Sequence, residues 1–198
     1  APAPVAPRKA IKLRDLPRPR LDHLVRLTDS TGLMTAAHFD IPDRAGGYRT
    51  EDNALALEAA VLHRVVTDDD TGLDLARTYL GLLRYMQLQD GRFHDRLNYD
   101  KSYADDSGGQ ECLGKALEGL GVTVALEEEE ALVSFAKLMF DEALVGLELS
   151  YPRSMAYAAC GCYHYLTRFP GASLAEAALE RLASDLLEAY RRNAREGW

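Results

Sequence analysis

The stretch Gly46-Gly47-Tyr48-Arg49-Thr50-Glu51-Asp52-Asn53-Ala54-Leu55-Ala56-Leu57-Glu58-Ala59-Ala60 reads as an aromatic loop running into a helix. Paired glycines and a tyrosine come first, and alanines and leucines of high helix propensity follow. The first helical turn then carries Glu51, Asp52 and Asn53. Such groups cap orphan N–H donors and complement the helix dipole, a structural role worth roughly 0.5–2 kcal/mol. Acids and an amide beside a tyrosine at a helix entrance are also the equipment of a sugar-handling pocket. Both readings are carried forward.

Outward from this helix, expected over 51–66, the apolar spacing is helical nearly everywhere. Helices are expected over 19–28, 71–89, 110–121, 126–146, 152–168 and 173–195, and the fold class is all-α. Val122-Thr123-Val124 is too short a run to count as a strand, and no sheet is expected. Residues 1–18, where Arg and Lys alternate with Pro, read as an extended arm ahead of one domain over 19–198. The connections alternate. Those entering the helices at 51, 110 and 152 are long or aromatic, and those entering at 71, 126 and 173 are short. A stack of helical hairpins with its site on one side has this pattern. Ala, Gly and Cys enrich the helices at 51, 110 and 152, as an inner row needs if its members crowd together. Their partners carry the charged residues of an outer row.

With 47% hydrophobic and 27% charged residues and a mean hydropathy of -0.24, the chain of 198 residues has the composition of a water-soluble domain with one core. No apolar run reaches membrane-spanning length. The net charge of -8 argues against general nucleic-acid or anionic-membrane binding. The first residues lack both an initiating Met and an apolar signal core, so they read as a processed end, a cloning remnant or part of a longer chain. Three cysteines make no even disulfide framework, and Cys112, Cys160 and Cys162 read as buried reduced thiols of a cytoplasmic protein. Only His164 stands near the C-x-C pair, so no metal site is expected. Asp68-Asp69-Asp70 reads as a turn, and Glu127 to Glu130 as a solvated first helical turn. No phosphate loop, zinc motif or nucleophile elbow appears, and no cofactor is expected.

The run Gly47 to Leu57 resembles the G-Y-x-T-D-D-N-A-R-A-L signature of a bacterial family of all-helical toroid proteins, often found beside or fused to glycosyltransferases. Leu27 to Leu33 and Ile41-Pro42-Asp43 are similar to that family's lead-in. Gly91-Arg92-Phe93-His94-Asp95 with Tyr99-Asp100 resembles its aromatic loop, and Gln110 to Leu117 its E-D-x-x-G-R-A-L entrance. Tyr151 to Ala156 fits the next entrance. The resemblance covers about residues 20–170. It implies an α/α toroid, a ring of antiparallel helical hairpins shared by many glycosidases, sugar epimerases and polysaccharide lyases. About half of a six-hairpin ring is expected here, its open edge covered by further residues or by a second chain in an oligomer. The chain departs from the pattern at Glu51, at Gln110 and at Leu55, where the family carries Asp, an acid and Arg.

A glycosidic bond needs one protonated and one ionised carboxyl group, roughly 5–9.5 Å apart. Asp52 and Glu111, with Glu51 beside them, are the candidate catalytic acids of a glycoside-hydrolase type site. Tyr48, Phe93 and Tyr99 are expected to offer ring faces to sugars. Asn53, His94, Asp106 and Arg153 are expected to supply polar contacts, and Asp105 or Asp106 could stand in for a member of the Asp52–Glu111 pair. The alternative is a noncatalytic domain that binds a glycan or docks a glycosyltransferase. A third reading, sugar epimerase, would rest on His38 and His94 as acid and base.

Overall fold

The computed structural model describes residues 17–67 and 69–194. The expected arm therefore lies outside the described residues except for Pro17 and Arg18, which are irregular and exposed. Among the described residues are helices α1 (Asp22–Leu27), α2 (Thr50–Thr67), α3 (Thr71–Met86), α4 (Gln110–Leu126), α5 (Glu130–Leu144), α6 (Pro152–Arg168) and α7 (Ser173–Asn193). The protein is mostly helical, as its sequence leads one to expect, but it is not all-α. A small antiparallel sheet runs in the order β1 (Met34–His38), β2 (Ile41–Arg49) and β3 (Arg96–Leu97).

The sheet eludes sequence reading because β2 contains Pro42 and Gly46-Gly47, which read as breakers. Pro42 is tolerated because β2 has only β1 beside it there, so one edge of the strand needs no N–H donor. The register jumps between Met34, opposite Tyr48, and Ala36, opposite Asp43, so the glycines fall in a bulge. Gly47 has φ +64, and a Cβ there would run into the Leu97 carbonyl oxygen. Only glycine fits that position. The bulge turns the end of β2 into the start of α2 and seats Tyr48 in the core, with none of its surface exposed.

The helices form two rows. α4 packs between α2 and α6, while α3, α5 and α7 each pair with the preceding member of the first row. The first row is held at backbone contact by glycine. A Cβ at Gly119 would stand 2.5 Å from the Ala54 carbonyl oxygen of α2, and one at Gly114 would stand 2.6 Å from that of Ser154 in α6. Gly121 and Gly161 likewise meet the backbones of Gly161 and Leu117. The matching order of these pairs makes α4 and α6 parallel. α4 also outruns its expected end by five residues, because Val122, Thr123 and Val124 are buried and tertiary packing overrides their weak helix propensity. Thr123 returns its hydroxyl to the Gly119 carbonyl at 2.8 Å.

The C-terminal ends of the row are tied by charge. Arg64 of α2 pairs with Glu127, and Arg168 of α6 donates to the Glu127 carbonyl at 2.6 Å. Glu127 is 2% exposed, so the expectation of a solvated run holds only for Glu128 to Glu130. One carboxylate oxygen, Oε1, also accepts the backbone N–H groups of Glu128 and Glu129, while Oε2 is buried without a hydrogen-bond partner. No helix among the described residues is long and apolar enough to cross a membrane.

The row's dependence on glycine is directly testable. Gly119→Ala should gain the helix propensity of alanine, at most about 1 kcal/mol, yet destabilise the protein by about 1–3 kcal/mol through overpacking against α2. Urea denaturation of the two proteins measures the difference.

Candidate functional site

The N-termini of α2, α4 and α6 lie side by side, and a line of ion pairs crosses them. Arg49 Nη2 is 3.0 Å from Glu51 Oε1 and 3.3 Å from Asp95 Oδ2. Lys115 Nζ is 3.2 Å from Glu51 Oε2 and 3.4 Å from Glu111 Oε1. Arg153 Nη1 closes the line 3.4 Å from the same Glu111 oxygen. The cations decide how Glu111 titrates. Partial desolvation pulls its carboxyl upward, but the hydrogen bonds and charges of Lys115 and Arg153 outweigh it and hold the group below the usual glutamate range. Lys115 also sits 5.6 Å from the centre of the Tyr157 ring, a cation–π contact one turn down α6 from Arg153.

The acids brought together are thus Glu51 and Glu111, bridged by Lys115. Asp52, the expected partner of Glu111, is turned toward the sheet, where its Oδ2 accepts the Thr35 hydroxyl at 2.6 Å. One residue is about 100° around a helix, which separates Asp52 from the face that Glu51 shares with α4. Gln110 replaces an acid in the resembled pattern and acts as a bracket. Its Oε1 accepts the N–H groups of Ser150 at 2.6 Å and Tyr151 at 3.1 Å, joining α4 to the loop that enters α6.

Several residues expected to touch sugar are instead spent inside the protein. Asn53 is fully buried; its Oδ1 accepts the Leu33 N–H at 2.7 Å, and its Nδ2 donates to the carbonyls of Leu33 and Arg49. Tyr48 donates to Asp29 Oδ2 at 2.6 Å and accepts from Lys101 at 3.0 Å. Burial first, and then the Asp29 carboxylate, push its hydroxyl pKa upward. Phe93 is 1% exposed and belongs to the core. Each residue is buried because the aromatic loop folds back on α2, where Thr50 donates its N–H to the Asp95 carbonyl and its hydroxyl to that of His94.

Tyr99 remains half-exposed, stacked at 6.4 Å on Tyr48, with Arg44 donating to its hydroxyl. His94 lies flat against Tyr103 at 3.8 Å, and its Nδ1 is 2.9 Å from the Asp105 carbonyl oxygen and 3.2 Å from Asp105 Oδ1. Both neighbours are acceptors, so Nδ1 carries the proton. Asp106 lines the shallow recess beside His94. His38 is far from this group in the fold, at the tip of the β1–β2 hairpin, where it faces Asp43. The two histidines therefore do not oppose each other.

Below the line of ion pairs, the same wall carries acids that sequence reading passed over. Glu58 and Glu118 lie seven residues, two helical turns, beyond Glu51 and Glu111, so each falls on the same face as its predecessor. That spacing on two parallel helices was the available signal. Burial, and then the neighbouring Glu58 charge, push the Glu118 carboxyl up to about 7, with Lys115 opposing. Burial also raises Glu58, with His164 of α6 opposing. Cys160 shares this wall and is exposed, whereas Cys112 and Cys162 are buried as expected. Two residues apart on α6, Cys160 and Cys162 point to opposite sides of the helix. All three thiols are free.

Comparison with family models and with curated proteins finds no match to this chain.

Two outcomes follow for stability. Asn53→Ala leaves two carbonyls and one N–H without a partner and should cost about 3 kcal/mol, with faster hydrogen exchange at the Leu33 amide. For Glu118, the folded-state pKa lies above the unfolded value, so the folded protein holds a proton that the unfolded chain releases between pH 4.5 and about 7. Its cost to the fold is absent below that window and fully developed above it. Glu118→Gln should therefore leave stability unchanged at pH 4 and raise it by about 1 kcal/mol at pH 8, after allowance for solvent screening. Paired denaturation curves at the two pH values check this.

Proposed function

We propose that this chain contributes the inner wall of an α/α toroid and binds carbohydrate along the entrances of α2, α4 and α6. The observation that supports this reading is the line Arg49, Glu51, Lys115, Glu111 and Arg153, with Tyr157 beneath it. Alternating donors and acceptors across a partly exposed surface suit the vicinal hydroxyls of a glycan, and the aromatic ring offers a face to a sugar. The resemblance of Gly47 to Leu57 to the toroid family points the same way.

The acids of this line favour binding over turnover. Glu111 is held ionised by two cations, which fits it to accept hydroxyl hydrogen bonds and unfits it to donate a proton. In this reading the domain holds a glycan for a glycosyltransferase partner. The free thiols suit a reducing compartment, and we place the chain in the cytoplasm.

A second reading, glycoside hydrolysis, is favoured by Glu118. A carboxyl raised to about 7 is a fit proton donor, and seven residues of helix set it about 10.5 Å along the wall from ionised Glu111, just beyond the roughly 6.5–9.5 Å spacing that inverting enzymes use. Glu118 would be the acid and Glu111 the base, in place of the Asp52–Glu111 pair.

Calorimetry and reducing-end assays on a common glycan panel separate these readings. Binding should appear without release of reducing ends and should weaken at least tenfold in Lys115→Met and Glu111→Gln. Release that disappears in Glu118→Gln would establish the hydrolase reading instead. Neither binding nor release across the panel would dismiss both.

A further inference from the structure

Away from this wall, a groove of about 490 Å³ opens between α3, the turn after α1 and the loop that follows β3. That size is within the range of small-molecule sites. Exposed Gly81 lines it, with the buried side chains of Leu82 and Leu97 beside it. Half-exposed Tyr85 forms one wall. Hydroxyls come from Ser30, Thr31 and Thr78, and Arg77 and Lys101 bring positive charge.

Gly81 is the feature that packing inside the chain does not account for. Five other helix glycines, Gly72, Gly114, Gly119, Gly121 and Gly161, each press on the backbone of a neighbouring helix. A Cβ at Gly81 would meet nothing within 4 Å. Glycine there weakens α3 by about 0.5–1 kcal/mol relative to alanine and returns no contact within the chain. What it does leave is open space along the groove, one helical turn from Tyr85, whose ring is braced by stacking on Tyr103.

The cations are also placed for use. Arg77 has one carboxylate neighbour, Asp74, whose side chain is 86% exposed, so that pair is weak and easily exchanged. Lys101 has the left-handed φ of 71, uncommon for a lysine, and its ammonium is fixed by the Tyr48 hydroxyl and by the Tyr48 ring at 4.2 Å. The nearby Asp29 carboxylate is already committed to the Tyr48 hydroxyl and to the N–H groups of Thr31 and Gly32. Lys101 thus stands at the groove as a preorganised cation. A ring with several hydroxyls and a doubly charged acid group matches this set of aromatic side chain, hydroxyls and two lining cations.

We propose that the groove is a binding site for a monosaccharide phosphate, with the sugar ring over Gly81 against Tyr85 and the phosphate between Arg77 and Lys101. None of these residues belongs to the α2–α4–α6 wall, so the two sites succeed or fail separately. Calorimetry on the full chain with hexose 6-phosphates of gluco, galacto, manno and fructo configuration tests it, with glucose and inorganic phosphate as controls. At least one sugar phosphate should bind saturably, and each control at least tenfold more weakly. Gly81→Leu projects a side chain into the groove from an open position and should abolish binding without lowering the melting temperature. Arg77→Gln should weaken binding about tenfold. In the unaltered protein, the ligand should shift the amide resonances of Gly81 and Tyr85, a readout that does not depend on any variant folding. Absence of binding by every sugar phosphate, equal binding of inorganic phosphate, or shifts confined to other residues would overturn the proposal.

Discussion

Backbone contact between α4 and its two neighbours is the constraint on which the rest of the structure depends. Gly114, Gly119, Gly121 and Gly161 remove the side chains that would otherwise hold these helices apart. Close approach lets a single lysine, Lys115, reach carboxylates on two helices at once. It also brings Glu58 near enough to Glu118 for its charge to add to burial in raising the Glu118 carboxyl. The ion-pair line and the raised carboxyl are both consequences of one packing choice.

Three neighbouring helices that run the same way present their positive ends together, and their dipoles repel side by side. The charge distribution offsets this at both ends. Glu51, Asp52 and Glu111 stand in the first turns of α2 and α4, while Arg64 and Arg168 stand in the last turns of α2 and α6. Glu127 then joins both arginines below. The carboxylates of the candidate site therefore contribute to the fold whether or not they meet a ligand. Their presence alone would not distinguish a binding wall from a cap, and the exposed Glu111–Arg153 end of the line, anchored on mostly buried Lys115, is what gives the functional reading its weight.

The helical rows were legible in the sequence because they rest on local rules: apolar spacing, propensity, and the alternation of long and short connections. What was not legible depends on contacts distant in the chain. β3 joins the sheet because Gly47 lets β2 pass against Leu97, fifty residues away, while the local β1–β2 hairpin is hidden by Pro42 and the paired glycines. Val122 to Val124 are helical because they are buried between rows. Among candidate site residues, Glu51, Glu111 and Arg153 stand at one entrance as their positions suggested, but Asp52 does not join Glu111. Glu58 and Glu118 were missed because sequence reading weighed the helix ends and did not follow the same faces two turns further along.

The motif that first drew attention to carbohydrate chemistry has a different physical role from the one its residue types suggest. Gly47 is required by close approach to β3, Tyr48 is bonded to Asp29 and Lys101, Thr50 holds the aromatic loop, and Asn53 clamps Leu33. These side chains join β2 and α2 to the turn after α1 and to the loops on either side of β3. A sequence run of this kind records how an entrance is built, so resemblance through it speaks to architecture more than to reaction. The chemistry of the wall depends instead on residues such as Lys115, Glu118 and Arg153, whose side chains still have valences to offer. In the proposed reading, a wall of this kind can keep its entrances and change what it binds by altering a few positions on the face between them.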